Sequence, residues 1–152
     1  MMRIEKFPLA QIYVPSKRRV TLHLAALALA AFAVLSPAPV QALDLNSFRA
    51  AHHLPPLAVS ATLAGLAYEQ AHSMAGRSHL DHNNFRQRTG FGGGRHAENV
   101  AVGCADEECA YRLWAKSSGH RRNMMLRDVS AYGIASATGS NGRRYWALEL
   151  GN

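Results

Sequence analysis

Apolar and polar positions along the chain change their period from segment to segment, and each change marks an element. From Val20 to Leu35 there is no period at all: the 16-residue run is apolar but for Thr21 and His23. Lys17, Arg18 and Arg19 precede it, Ser36-Pro37-Ala38-Pro39 ends it, and Val40-Gln41-Ala42 supplies the small residues that a signal peptidase reads. The run is shorter than the roughly 20 residues of a stable membrane-spanning helix. Residues 1–42 are therefore expected to be a signal peptide cleaved after Ala42, an uncleaved anchor being the alternative.

Beyond the leader the pattern becomes helical and then alternating. Leu43 to Leu54 reads as a helix capped by Asp44 or Asn46 and stopped by Pro55-Pro56. Ser60 caps a second helix, in which Leu63, Leu66, Ala67, Ala71 and Met74 recur at three- and four-residue steps up to Gly76. The chain turns polar from Ser78 to Gly94, which predicts a short helix around His82 to Arg88 and then a loop. Glu98 to Gly103 reads as a strand, Asp106 opens a third helix that ends at Ser118-Gly119, and a further helical turn spans His120 to Leu126. Tyr132 to Ser136 and Arg144 to Leu150 flank Gly139-Ser140-Asn141-Gly142, a hairpin signal. Helices early and strands late give an α+β class in one domain, residues 43–152.

Charge changes this picture only a little. Of the formal +7 over 152 residues, +4 sits in the leader, and the mature chain is left with 12 basic and 9 acidic residues. With so small a net charge and its aromatic residues on apolar faces, nucleic acid is not an expected partner. Trp114, Trp146 and Met124-Met125 read as core. Cys104 and Cys109 are separated by Ala105-Asp106-Glu107-Glu108, which in an exported chain predicts a local disulfide.

Seven histidines follow the leader: His52, His53, His72, His79, His82, His96 and His120. His52 and His53 diverge by about 100 degrees on a helix, His72 lies on a polar flank, and His96 follows a glycine run and is expected to be solvated. His82 is oriented by Phe85 three residues on. His120 stands at a helix start, where the dipole disfavours its protonation. Glu98, on a partly buried strand, needs a partner. Two imidazoles and a carboxylate are the ingredients of a divalent metal site or of an acid/base pair, but their spacing does not bring them together as a local helical motif would.

The ordered motifs Ala97-Glu98-Asn99-Val100-Ala101-Val102-Gly103, Trp114-Ala115-Lys116-Ser117-Ser118-Gly119-His120-Arg121-Arg122-Asn123-Met124, Tyr132-Gly133-Ile134-Ala135 and Tyr145-Trp146 resemble the CAP superfamily of cysteine-rich secretory, antigen 5 and pathogenesis-related proteins, in its short bacterial form. The resemblance implies a three-layer α-β-α sandwich with a small central antiparallel sheet. It also implies an open cleft holding His82, Glu98 and His120, with His79 as the runner-up for His82. Zinc or another divalent cation on His82 and His120 is implied as well. Many eukaryotic members carry a second Glu where this chain has Ser117, so a closed four-ligand centre is not expected.

Two functions follow. The first is a monomeric, non-catalytic module, exported to the periplasm or the medium, that binds a lipid, glycan or peptide in the cleft. The alternative is a metal- or His/Glu-assisted hydrolase of peptides or cell-envelope polymers, with Glu98 and His120 as its candidate catalytic residues. Ser117 or Ser118 beside His120 reads as a helix cap before a nucleophile. Arg121, Arg122, Arg127, Arg143 and Arg144 are expected either to be solvated or to form a basic patch for an anionic envelope surface. Intact-mass measurement of the exported protein is expected to show Leu43 as its first residue; retention of residues 1–42 would leave the anchor reading.

Overall fold

A computed structural model describes residues 42–90 and 94–152; the expected leader, but for Ala42, lies outside them. Three of the helices begin where a side chain satisfies a free N–H group. Asp44 caps α1 (Leu45–Ala51) by accepting from the Ser47 amide at 2.7 Å. Ser60 caps α2 (Ala61–Arg77), and Asp106 caps α4 (Glu107–Lys116) by accepting from the Cys109 amide at 2.8 Å. The two short helices are α3 (Phe85–Thr89) and α5 (Ser118–Met124). Four strands, β1 (Ala58–Val59), β2 (His96–Val102), β3 (Ala131–Thr138) and β4 (Arg144–Gly151), form one sheet in the order β1-β3-β4-β2.

The period of two along β2 and β4 sorts their side chains between two cores. Val100, Tyr145 and Ala147 pack with Ala67, Ala71 and Met74 of α2. Ala97, Ala101, Trp146, Leu148 and Leu150 face the other way, onto Leu45 and Phe48 of α1, Tyr111 and Trp114 of α4, and Met124 of α5. The result is helix, sheet, helix. Both buried tryptophans satisfy their ring N–H groups inside the protein, Trp114 on the Val100 carbonyl at 3.0 Å and Trp146 on the Cys104 carbonyl at 2.9 Å. The Cys104–Cys109 disulfide, with Cα atoms 5.4 Å apart, ties the end of β2 to the first turn of α4. Among the described residues no helix is long and apolar enough to cross a membrane.

Several local readings of the sequence need correction. The two-residue β1 is too short to show an alternating pattern, and it pairs with β3 in parallel, so one edge of an otherwise antiparallel sheet is parallel. Gly119 lies inside α5, because the break between α4 and α5 falls at Ser117, whose backbone is extended. His96 is half-buried at the start of β2, opposite Gly151, and its Nδ1 has no partner. The short helix starts at Phe85, leaving His82 in the loop before it.

The layer of α2 approaches β3 most closely at Gly133, where a Cβ atom would overlap the backbone of Leu63 and Ala64. Backbone on both sides leaves nothing flexible to yield. Gly133→Ala is therefore expected to destabilise the fold by about 2 kcal/mol or more, read as a lower urea midpoint; an unchanged midpoint would mean that α2 can retreat without cost.

Candidate functional site

The site is built on β2, the strand at the sheet edge opposite β1. Its Glu98 points to the same face as Val100, the α2 face, and is 6% exposed. Burying a carboxylate there requires partners, and the segment that follows α2 delivers them. His82 Nδ1 lies 2.7 Å from Glu98 Oε1, and the Arg88 guanidinium donates to Glu98 Oε2. Arg88 also bonds the Asn83 carbonyl, which folds the segment back on itself.

The next residue points the other way. Asn99 is fully buried and donates to the His120 carbonyl at 3.0 Å, while Asn123 donates to Asn99 Oδ1 at 2.9 Å and to the Glu98 carbonyl at 3.2 Å. These bonds fix α5 against β2 and with it the position of His120. Glu98 thus meets the His82 side chain on one face of β2, and Asn99 meets the His120 carbonyl on the other. His79 is exposed and makes no side-chain bond to Glu98; His82 takes that place.

The two imidazoles are tuned in opposite directions. The hydrogen bond that His82 donates to Glu98 raises its proton affinity above the ordinary value, against the opposing effect of burial. Burial, and then the charge of His82, lowers that of His120. Burial thus comes first at His120, where a helix dipole was expected to act. His82 therefore holds its proton to higher pH than His120, the kind of separation that acid/base pairs use. The His120 Nδ1 is buried and has no partner.

A fourth titratable group belongs to the cluster and was missed in the sequence. Glu149 on β4 is the register partner of Glu98, on the same face of the sheet, and is fully buried. Arg88 Nη2 reaches to 3.6 Å from its Oε1. Burial, followed by the hydrogen bond and charge of Glu98, pushes its pKa up to about 9. Glu149 therefore keeps its proton near neutral pH. The available signal was a lone charge in the apolar run Tyr145 to Leu150. Arg88 was legible only as a residue six positions after His82.

Among the described residues no three His, Cys, Asp or Glu side chains are grouped to hold a metal ion. Zinc in a catalytic centre takes three protein ligands; His82 and His120 supply two, and both Glu98 oxygens are committed to His82 and Arg88. The donor set does not fit such a centre, and no chemical step is derived through a metal.

A family model described as the cysteine-rich secretory protein family matches residues 44–150. The chain belongs to the CAP family. Solved structures share the CAP fold at low identity. An outer surface protein of Borrelia burgdorferi superposes with a TM-score of 0.62 at 18% identity, over 71% of this chain and 86% of that one. An extracellular SCP-domain protein of Bacillus anthracis gives 0.57 at 22%, over 70% of this chain and 37% of its own. A cysteine-rich secretory protein of Staphylococcus aureus gives 0.55 at 20%, over 70% and 35%. The CAP chain thus spans little more than a third of the latter two. No curated protein is matched by its sequence.

Glu149 sets a pH dependence whose sign is fixed. An acid whose folded pKa lies above its unfolded value binds more protons when folded, so stability falls as pH rises from the ordinary 4.5 towards about 9. Glu149→Gln, a neutral isostere of the protonated acid, is expected to flatten the decline of Tm between about pH 5 and about pH 9, where one pKa unit is worth about 1.4 kcal/mol. Parallel profiles for the two proteins would place the titration elsewhere.

Proposed function

We propose that residues 43–152 are an exported ligand-binding module whose binding cleft lies along β2 and is faced by His82 and His120. Export is supported by the leader pattern and by the disulfide between Cys104 and Cys109. The printed descriptions of the structural neighbours, which are outer-surface, extracellular or secretory proteins, point the same way.

The observation that carries binding over catalysis is the state of Glu98. Its two oxygens are taken by His82 and Arg88, so the one carboxylate of the cleft is committed to holding the structure and is not free to act as a base. A groove of about 470 Å³ beside it is lined by His82, Asn84, Phe85, Arg86 and Gln87. Amide, guanidinium and imidazole groups around one aromatic ring suit a glycan or peptide better than a lipid chain. The opposed tuning of His82 and His120 is what favours the second reading, a His/Glu-assisted hydrolase of envelope polymers.

Soluble cell-wall glycopeptide fragments, followed by NMR of the histidine ring protons, are expected to shift His82 and His120 saturably and to be recovered intact. Binding is expected to persist with a chelator present and to weaken at least about tenfold in His120→Ala at unchanged Tm. Cleavage products that disappear in Glu98→Gln would replace the binding reading with the hydrolytic one.

A further inference from the structure

The five arginines weighed as either a solvated face or one basic patch are divided by the fold. Arg143 and Arg144 line a concavity beside Gly103, Cys104 and Ala105; there Arg144 bonds the Ala105 carbonyl at 2.5 Å and stacks over Trp146 at 5.9 Å. The other three gather elsewhere. Arg121, Arg122 and Arg127 line a pocket of about 410 Å³ at the end of α5, together with Ser118, Met125 and Leu126. No acidic residue lines it.

A fourth cation lies behind the pocket, bonded to its lining residue Leu126. Arg49 is fully buried, and it donates to the carbonyls of Pro55 at 2.9 Å, Met124 at 3.0 Å and Leu126 at 2.8 Å. Its Nη2 has no partner. Among the described residues the ion pairs involve Arg77, His82, Arg88, Arg95 and Arg112, and none involves Arg49, Arg121, Arg122 or Arg127. Asp128, next in sequence to Arg127, faces Arg95 at 3.6 Å. Burial, and after it the charge of Arg127, lowers the proton affinity of Arg49. A buried charge left without a counter-charge is costly.

We propose that the pocket formed by Arg121, Arg122 and Arg127 at the end of α5 binds a phosphate group, either free or as the headgroup of an anionic lipid. Several guanidinium forks converging on one concavity suit the oxygens of a tetrahedral phosphate better than a single carboxylate, which one fork saturates. Met125 and Leu126 supply an apolar wall for whatever the phosphate carries. The site does not rest on the cleft reading, since His82, Glu98 and His120 are absent from its lining.

The full chain and two variants of it, Arg121→Gln/Arg122→Gln/Arg127→Gln and Arg143→Gln, would be titrated with inorganic phosphate, with glycerol 3-phosphate and with phosphatidylglycerol vesicles. Because the leader is common to all three proteins, differences between them report the pocket. All substituted arginines are exposed, and unchanged Tm values establish that the variants are folded. The triple variant is expected to lose at least about tenfold in affinity while Arg143→Gln matches the parent, with all binding weakening as salt is added. Arginine-dependent binding of inorganic phosphate identifies a free-anion site; dependence seen with glycerol 3-phosphate or vesicles alone identifies a headgroup site. Equal affinity of the triple variant and the parent for all three probes, or an equal loss in Arg143→Gln, would overturn the proposal.

Discussion

Because successive residues of a strand point to opposite faces of a sheet, the Glu98-Asn99 pair reaches both helical layers at once. Glu98 takes His82 and Arg88 from the segment after α2, and Asn99 takes His120 and Asn123 from α5. Two elements far apart in sequence are thereby referenced to one dipeptide on an edge strand. A one-residue slip of β2 against β4 would exchange the two faces and dismantle both attachments together. The seven-residue register of that pair, from His96 opposite Gly151 to Val102 opposite Tyr145, is what excludes the slip.

That same register sets the electrostatic problem of the site. It places Glu149 directly opposite Glu98 in a buried layer where two carboxylates cannot both be ionised. Arg88, itself only 10% exposed at its side chain, is the guanidinium between them. The conflict is settled by a proton kept on Glu149. Arg49 is the opposite case: a buried cation met by carbonyl oxygens alone, at the C-terminal end of a short helix where the backbone dipoles favour positive charge. One buried cluster is short of positive charge and the other of negative charge.

Much of the fold was legible because its signals are local. The caps Asp44, Ser60 and Asp106, the three- and four-residue steps of α2, and the glycine-bounded turn before β4 each act within a few residues, so a single sequence displays them. The disulfide was legible for the same reason, its two cysteines being five positions apart. What failed to show was non-local or too short: the two-residue β1, whose only reason to be a strand is the edge of β3, and His96, whose burial depends on Gly151 at the far end of the chain. His82, Glu98 and His120 could be named as chemically apt residues, and the CAP resemblance placed them in one cleft. Glu149 could not be named, since nothing near it in sequence reveals that its partner across the sheet is another acid.

By itself the sequence determined the elements, their order, the leader pattern and the inventory of groups able to do chemistry, all of which follow from propensity and period along the chain. Tertiary structure decided which groups meet. Strand register put Glu98 against Glu149, the turn after α2 brought in Arg88 and chose His82 over His79, and the packing of α5 divided five arginines between two concavities. The physical reason is that hydrogen bonds and ion pairs form only at contact distances of about 3 to 4 Å, while sequence distance carries no such length. Only the folded backbone converts one into the other.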